Sequence, residues 1–407
     1  MRREGGRTVR NGLTAAALIV AGAGTAWLSV RTALVRSLPP TSPLLQQVVP
    51  HGSDGVLARA TAALVEQKGI MTPDQLAGVR QAAIAAPLDA RAFLVLGHQQ
   101  LLDRQPGRAV RTLEAARRLD PRQRLVHLLL LDRYLRTARY VDAATEFSLL
   151  SKLLSGTQAP IAAAMAQMSV TPETRAAVRR TLATDPDLER SVLVALARST
   201  VAPATIWSLA TPAARVDAGS GNSWGPALVN RLVQQGRFGT ARAVWQHIYR
   251  LPADAVATPV FNGQFANAAA TPPFNWTLTQ GSLGAADLRA NSLNIDYYGR
   301  DTGELASQLL VLTPGRYVFT STVDPGKTDG ALRLFWTIAC ATGNKAAVMN
   351  LPVAPAARPR RLNGAFAVPA SCPAQTLSLR AEAGDLPVPA ALTLRDVAIR
   401  PLAAVRS

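Results

Sequence analysis

From Asp89 to Pro121 the chain reads DARAFLVLGHQQLLDRQPGRAVRTLEAARRLDP, and its apolar positions recur at helical spacing. Phe93, Leu96 and Gly97 fall on one face of a first helix. Ala109, Leu113 and Ala116 fall on one face of a second, with RQPG as the turn between and Pro121 as the stop. A shift of 34 residues brings Leu130, Tyr134, Ala143, Phe147 and Leu150 to equivalent places. A shift back sets Pro87 opposite Pro121, with Val79 and Ala82 before it. Such self-similarity predicts stacked helix pairs, each burying a face it cannot bury alone. Between 171 and 199 the chain also reads as helix, with Thr171-Pro172-Glu173 as a start and Asp185-Pro186 as a break.

From Phe261 the period changes to two. The segment 332–340 sets Leu332, Leu334, Trp336, Ile338 and Cys340 on one face against Arg333, Phe335 and Thr337 on the other. Leu293, Ile295 and Tyr297 alternate with Asn294, Asp296 and Tyr298. GRYVFTSTV, AQTLSLRAEAG and ALTLRDVAIRPL behave alike, and TPGRY and DPGKTDG are turn chemistry. Short strands with turns at short spacing predict an antiparallel sandwich over 261–402.

The N-terminus carries four Arg and one Glu in residues 1–10, then no charge from Asn11 to Val30. Twenty helical residues span roughly 30 Å, the thickness of a bilayer core. The run has two readings, a retained anchor over 11–35 or a signal peptide cleaved near the small residues at 21–26. In both, residues 1–10 stay cytoplasmic and the bulk lies in the periplasm or otherwise outside the cytoplasm, held at the inner membrane if the anchor remains. Residues 36–54 read as a Pro-rich linker, 253–260 as a second linker and 403–407 as a tail.

Length and composition fit several folded domains: 407 residues, 48% hydrophobic and 17% charged. The net charge of +18 comes almost wholly from Arg, spread along the chain with no block beyond RPRR at 358–361. Without a clustered stripe or a reading motif, nucleic acid is not an expected partner, whereas attraction to acidic polymers or anionic headgroups fits the charge.

The helical part resembles the tetratricopeptide repeat. Gly97 and Ala109 match its small close-contact positions, and Tyr134 and Phe147 match its large ones in the next copy. His127, where an aromatic is usual, and Leu131, where a small residue is usual, depart from the pattern. A further copy lies in 227–252, where QQGRFGTA resembles the inter-helix turn and Ala241 and Trp245 take the small and large places. The resemblance covers 55–252 and implies a solenoid whose groove binds a protein partner, with Leu94, His98 and Leu101 lining it.

The β-part resembles the jelly-roll carbohydrate-binding modules. It carries their Asn-Gly-x-Phe opening in Asn262, Gly263 and Phe265, then Trp276, and a last strand like LTLRDVAIRPL. This resemblance implies a polysaccharide partner, with Asn294, Asp296, Tyr298, Arg333 and Phe335 as glycan contacts. It also implies a structural Ca²⁺ in some members. Asp396 stands at one acidic position, but Ala266 takes the other, so no cofactor is expected and Asp396 is a weak Ca²⁺ candidate. The expected architecture is therefore a transmembrane helix, an all-α repeat solenoid and an antiparallel β-sandwich of jelly-roll type.

Two cysteines, Cys340 and Cys372, both lie in the β-part, and an even pair in an exported chain predicts one disulfide. The four His are scattered, and no HExxH, P-loop, GxSxG or dinucleotide fingerprint appears. Asp296, Asp301, Glu304, Asp324 and Glu382 are isolated acids. The expectation is a non-catalytic envelope protein, with surface polysaccharide assembly as the role its two parts suit. The alternatives are a pure assembly scaffold without sugar binding and a glycoside-active enzyme with an opposed acidic pair.

Overall fold

The structure, a computed structural model, describes residues 53–66, 69–154, 156–266, 270–325, 327–328, 333–343, 347–353 and 357–402, with a few positions between 25 and 42. The segment 1–10, nearly all of the apolar run 11–35 and the tail 403–407 lie outside the described residues, as does Leu332. Among the described residues no helix is long and apolar enough to cross a membrane. Contacts divide the chain into two compact units, one of residues 1–161 and 176–181, the other of 162–175 and 182–407.

The first unit is built on α1 (Ser53–Glu66), α2 (Pro73–Ala85), α3 (Ala90–Leu102), α4 (Pro106–Leu119), α5 (Arg124–Arg136) and α6 (Tyr140–Leu153), packed as successive hairpins. Local chemistry starts the helices. Thr72 and Gln75 form a reciprocal capping box ahead of α2, and the Asp89 carboxylate accepts from the Arg91 N–H at the start of α3. The repeat is visible in its turns. Arg104 and Ala138 both take a left-handed φ of 55°. The next N–H then donates five residues back, Gln105 to the Gln100 carbonyl and Arg139 to that of Tyr134. Gly97 brings α3 and α4 together, since a Cβ there would lie 2.7 Å from the Leu113 side chain. Leu94, Leu113, Val126, Leu130 and Tyr134 are fully buried in the resulting core.

His127 departs from the repeat pattern for a visible reason. It is fully buried, with Nδ1 2.5 Å from Glu146 Oε2 and Nε2 2.9 Å from the Pro121 carbonyl. Two acceptors on the two ring nitrogens call for two donors, which is the imidazolium. The buried Glu146 carboxylate also accepts from Arg117. The bond to Glu146, against the opposing effect of burial, raises the His127 pKa above its ordinary 6.5. A raised folded pKa stabilises fully below the unfolded value, and that stabilisation is lost as pH rises through the folded one. Urea midpoints should therefore fall from pH 6 towards pH 9, and His127→Gln should flatten this slope. An equal slope in the variant would remove the assignment.

The second unit continues the helices and adds the β-part. The expected helix start at Thr171-Pro172-Glu173 opens α8 (Pro172–Leu182), after α7 (Gln158–Val170), and the residues of both helices are divided between the two units. Asp185 caps α9 (Pro186–Arg198), its carboxylate accepting from the Leu188 N–H at 3.3 Å. Two short helices, α10 (Pro203–Leu209) and α11 (Pro212–Val216), lead to the pair α12 (Trp224–Gln234) and α13 (Phe238–Ile248). Their turn repeats the earlier geometry. Gly236 has φ 71°, and the Arg237 N–H donates to the Leu232 carbonyl.

The expected linker 253–260 does not separate folding units. Trp245 on α13 is buried among Phe261, Phe274 and Tyr249, with ring centroids 5.0, 5.6 and 5.7 Å away. Its indole N–H donates to the Thr271 carbonyl at 2.8 Å. Two large aromatics just after the period change would be left exposed without this helix, which is why the contacts run across the change in composition.

Among the described residues eleven strands form two antiparallel sheets. One orders β1 (Thr277–Leu278), β4 (Gly303–Leu310), β10 (Gln375–Ala381), β7 (Leu334–Cys340) and β8 (Ala347–Pro352). The other orders β2 (Gly284–Arg289), β3 (Ser292–Tyr297), β11 (Ala390–Pro401), β5 (Gly315–Val323) and β9 (Arg360–Val368), with β6 (Lys327–Thr328) also on β11. Leu334, Trp336, Ile338, Leu377 and Leu379 from the first sheet and Leu293, Ile295, Phe319, Leu394 and Ile399 from the second share one buried core.

The Asn-Gly-x-Phe opening is explained by the backbone. The Val397 N–H donates to the Gly263 carbonyl at 2.9 Å, and a Cβ on Gly263 would sit 1.9 Å from the Val397 oxygen, so only glycine fits. Asn262 takes φ 53°, its carbonyl accepts from the Trp276 indole at 3.0 Å, and Phe265 packs on that indole. Cys340 at the end of β7 is bonded to Cys372, with Cα atoms 5.4 Å apart, as the sequence predicts.

Candidate functional site

Alternation along the strands decides which side chains leave the core. On β3, Asn294 and Asp296, followed by Tyr298, point away from it, and on β7 Phe335 and Thr337 do, with Arg333 preceding them. The sequence reading of each face is correct. Their combination into one platform is not. β3 and β7 belong to opposing sheets, so the outer residues of one face away from those of the other. Periodicity gives in or out within a strand, but not which sheet the strand joins. Tyr298 therefore stands alone with the β3 group, 48% exposed. Asn294 is already engaged, its carbonyl oxygen accepting from Thr393 at 3.0 Å and its amide facing Ser292.

The five-stranded sheet holds a different constellation. Register sets Thr277 opposite Ser307, Ser307 opposite Ser378, Ser378 opposite Thr337 and Thr337 opposite Asn350. One outward rung of hydroxyl and amide side chains thus crosses all five strands. At about 4.8 Å per strand it spans roughly 19 Å. Ser378 at its centre is only 4% exposed and forms a floor, while Thr277 and Asn350 at the ends are exposed. The next outward rung is Glu304, Arg380, Phe335 and Pro352. Phe335 is half-buried, and Arg380 is exposed with no ion pair among the described residues. Beyond them Arg333 donates to Glu382 at 2.9 Å.

This surface can donate and accept hydrogen bonds along a line and offer a phenyl face at its side. Of its members, the sequence reading contained Phe335 and Arg333. Ser307, Asn350, Ser378 and Arg380 escaped it because each looks like an ordinary solvated position until the strands are paired. Two of the five isolated acids are paired with arginine. Glu382 pairs with Arg333, and Asp324 pairs with Arg395.

The expected partner groove does not form from the three residues named for it. Leu94 is fully buried in the repeat core. Leu101 is half-buried against that core. The His98 ring fills the space over Gly69, where a Cβ would lie 2.1 Å from it, and burial lowers its pKa. The reason is geometric: the helix face chosen from the pattern is the one packed on neighbouring helices.

Asp396 sits at the bulge of β11 with φ 53°, in a cleft of about 690 Å³ that Asn262, Thr320, Arg361 and Arg400 also line. Calcium needs six to eight oxygens and strong negative charge. Here the carboxylates of Asp254 and Asp396 share the cleft with two guanidinium groups and Ala266 offers no side-chain oxygen, so the lining carries no net negative charge and does not fit the ion. Among the described residues no group of three acidic, His or Cys side chains could hold a metal.

No family model matches the chain, and no curated protein does. Among solved structures, the chain is similar to the N-terminal cellulose-binding domain of Cellulomonas fimi β-1,4-glucanase C, at 18% identity over 36% of this chain and 99% of that one, with a TM-score of 0.26. The CBM22-1 xylan-binding domain of Paenibacillus barcinonensis Xyn10C is similar at 17% identity over 32% and 87%, with a TM-score of 0.25. Yeast Tom70 is similar at 13% identity over 51% of this chain and 45% of its own, with a TM-score of 0.24. All three scores are low, and none shows a shared fold.

Proposed function

We propose that the protein is a non-catalytic, exported binding protein. Its β-part holds a glycan on the outer face of the five-stranded sheet, and its helical repeats hold a protein partner, the pairing suited to surface polysaccharide assembly. The observation that carries the glycan reading is the rung Thr277, Ser307, Ser378, Thr337 and Asn350 beside Phe335 and Arg380. Sugars present a line of hydroxyls and an apolar ring face, and a hydroxyl-amide lane flanked by a phenyl ring is complementary to both. The pairing of Glu382 and Asp324 with Arg makes these two of the five isolated acids poor candidates for acid or nucleophile, which supports binding over hydrolysis. Export is supported by the disulfide, whose state is tested below.

Affinity electrophoresis of the full chain in gels cast with neutral and acidic polysaccharides tests the glycan face. At least one gel should retard the protein. Phe335→Ala and Arg380→Ala should each weaken that retardation by about tenfold, the loss of one stacking or charge-assisted contact. Tyr298→Ala, on the other sheet, should leave it unchanged. Retardation by no polysaccharide, or loss only in Tyr298→Ala, would leave the protein-assembly scaffold as the better reading.

A further inference from the structure

A second cleft, apart from the glycan face, lies between α9 and α12 and has a volume of about 590 Å³. Arg198 from α9 lines it with Asn222, Asn230, Arg231 and Gln234, and no carboxylate does. Arg231 is 8% exposed. One of its terminal nitrogens donates to the Val201 carbonyl at 2.8 Å, while Nε and Nη1 have no acceptor. No ion pair to Arg231 or Arg198 occurs among the described residues.

A buried guanidinium without a counter-charge is an unsettled group. Burial and, after it, the neighbouring Arg237 disfavour its charge. Lysine could shed its proton in such a place, but arginine keeps it. One peptide carbonyl supplies a partial charge and satisfies one donor of five. An anion with several acceptor oxygens would satisfy the remaining donors and the charge together. The neighbouring amides of Asn222, Asn230 and Gln234 add donors that such a group would use, and Arg198 adds a second positive charge at the rim.

We propose that this cleft is a binding site for an oxyanion, a carboxylate or phosphate group of a small ligand, seated on Arg231 and closed by Arg198. The size suits a small molecule and the polar lining suits a charged one. The site depends on neither the glycan face nor the repeat groove, so its failure leaves both untouched.

The test is calorimetric titration of the full chain with inorganic phosphate and, separately, with succinate, sodium chloride holding the ionic strength constant. Saturable binding of one or both is expected, and which one binds tells phosphate from carboxylate. Arg198→Ala, an exposed change that leaves the fold alone, should weaken binding by about tenfold. Arg231→Met should abolish it. If that variant does not fold, Asn230→Ala with Arg198→Ala decides the matter, the pair being expected to bind more weakly than either alone. No saturable binding of either anion, or binding unaltered in Arg198→Ala and in the double variant, would overturn the site and reduce Arg231 to a clamp on the Val201 carbonyl.

Discussion

Trp245→Ala should destabilise the second unit by roughly 3–5 kcal/mol, the range for deleting a large buried aromatic. The indole is 1% exposed and touches the rings of Phe261 and Phe274. Its removal leaves a cavity at the point where the helices meet the β-part. It also strands the Thr271 carbonyl, which accepts the indole N–H. The same region is held by Gln308 of β4, whose buried amide bonds both backbone groups of Phe261, at 3.1 and 2.8 Å. α13 and the first β-residues are thus one packed body, so a chain beginning at Phe261 should be much less stable than one beginning near Leu182. Guanidinium denaturation of the full-length variant, followed by circular dichroism, measures the effect. A loss below about 1 kcal/mol, with Trp245→Phe indistinguishable from wild type, would mean that the helix merely rests against the sandwich.

This junction shows where sequence reading reached its end. The change from helical to two-residue period is real, although the strands begin at Thr277 and not at Phe261, and the faces it assigns hold: Trp336 and Ile338 in, Phe335 and Thr337 out. Periodicity records what each element does with its own faces. It carries no record of which element receives a given aromatic, so Trp245 read as a repeat filler when it serves Phe261 and Phe274. The expected platform that joined Tyr298 to Phe335 failed for the same reason. Tyr298 and Phe335 both read as outward, and only strand order separates them. His127 read as a flaw in the second copy because Glu146, 19 residues on, has no pattern that announces a buried partner. The turns at RQPG and QQGRFGTA were legible, and Arg104 and Gly236 in them take the same left-handed conformation; the equivalent turn at Ala138 carries no Gly or Pro to announce it. The oxyanion cleft was not, because an arginine without a counter-charge differs from an ordinary one only in three dimensions.

Removing the disulfide should have an effect of similar size. Cys340 closes β7 and Cys372 precedes β10, so the bond spans 32 residues that include β8 and β9. Freeing a loop of that length from the unfolded chain's constraint costs roughly 3–4 kcal/mol on the chain-entropy estimate. Both β7 and β10 lie at the centre of the glycan rung, and β8 carries its Asn350 end, so the bond holds together the strands on which that face depends. The double variant Cys340→Ser with Cys372→Ser should therefore unfold at clearly lower denaturant, and dithiothreitol on the wild type should reproduce most of the shift. An unchanged midpoint in both would show that β8 and β9 are held without the bond. Disulfides persist where the compartment is oxidising. Thiol labelling of the denatured, unreduced protein taken from its own cells should thus find neither cysteine free, and labelling of both would overturn the bond and the exported location together.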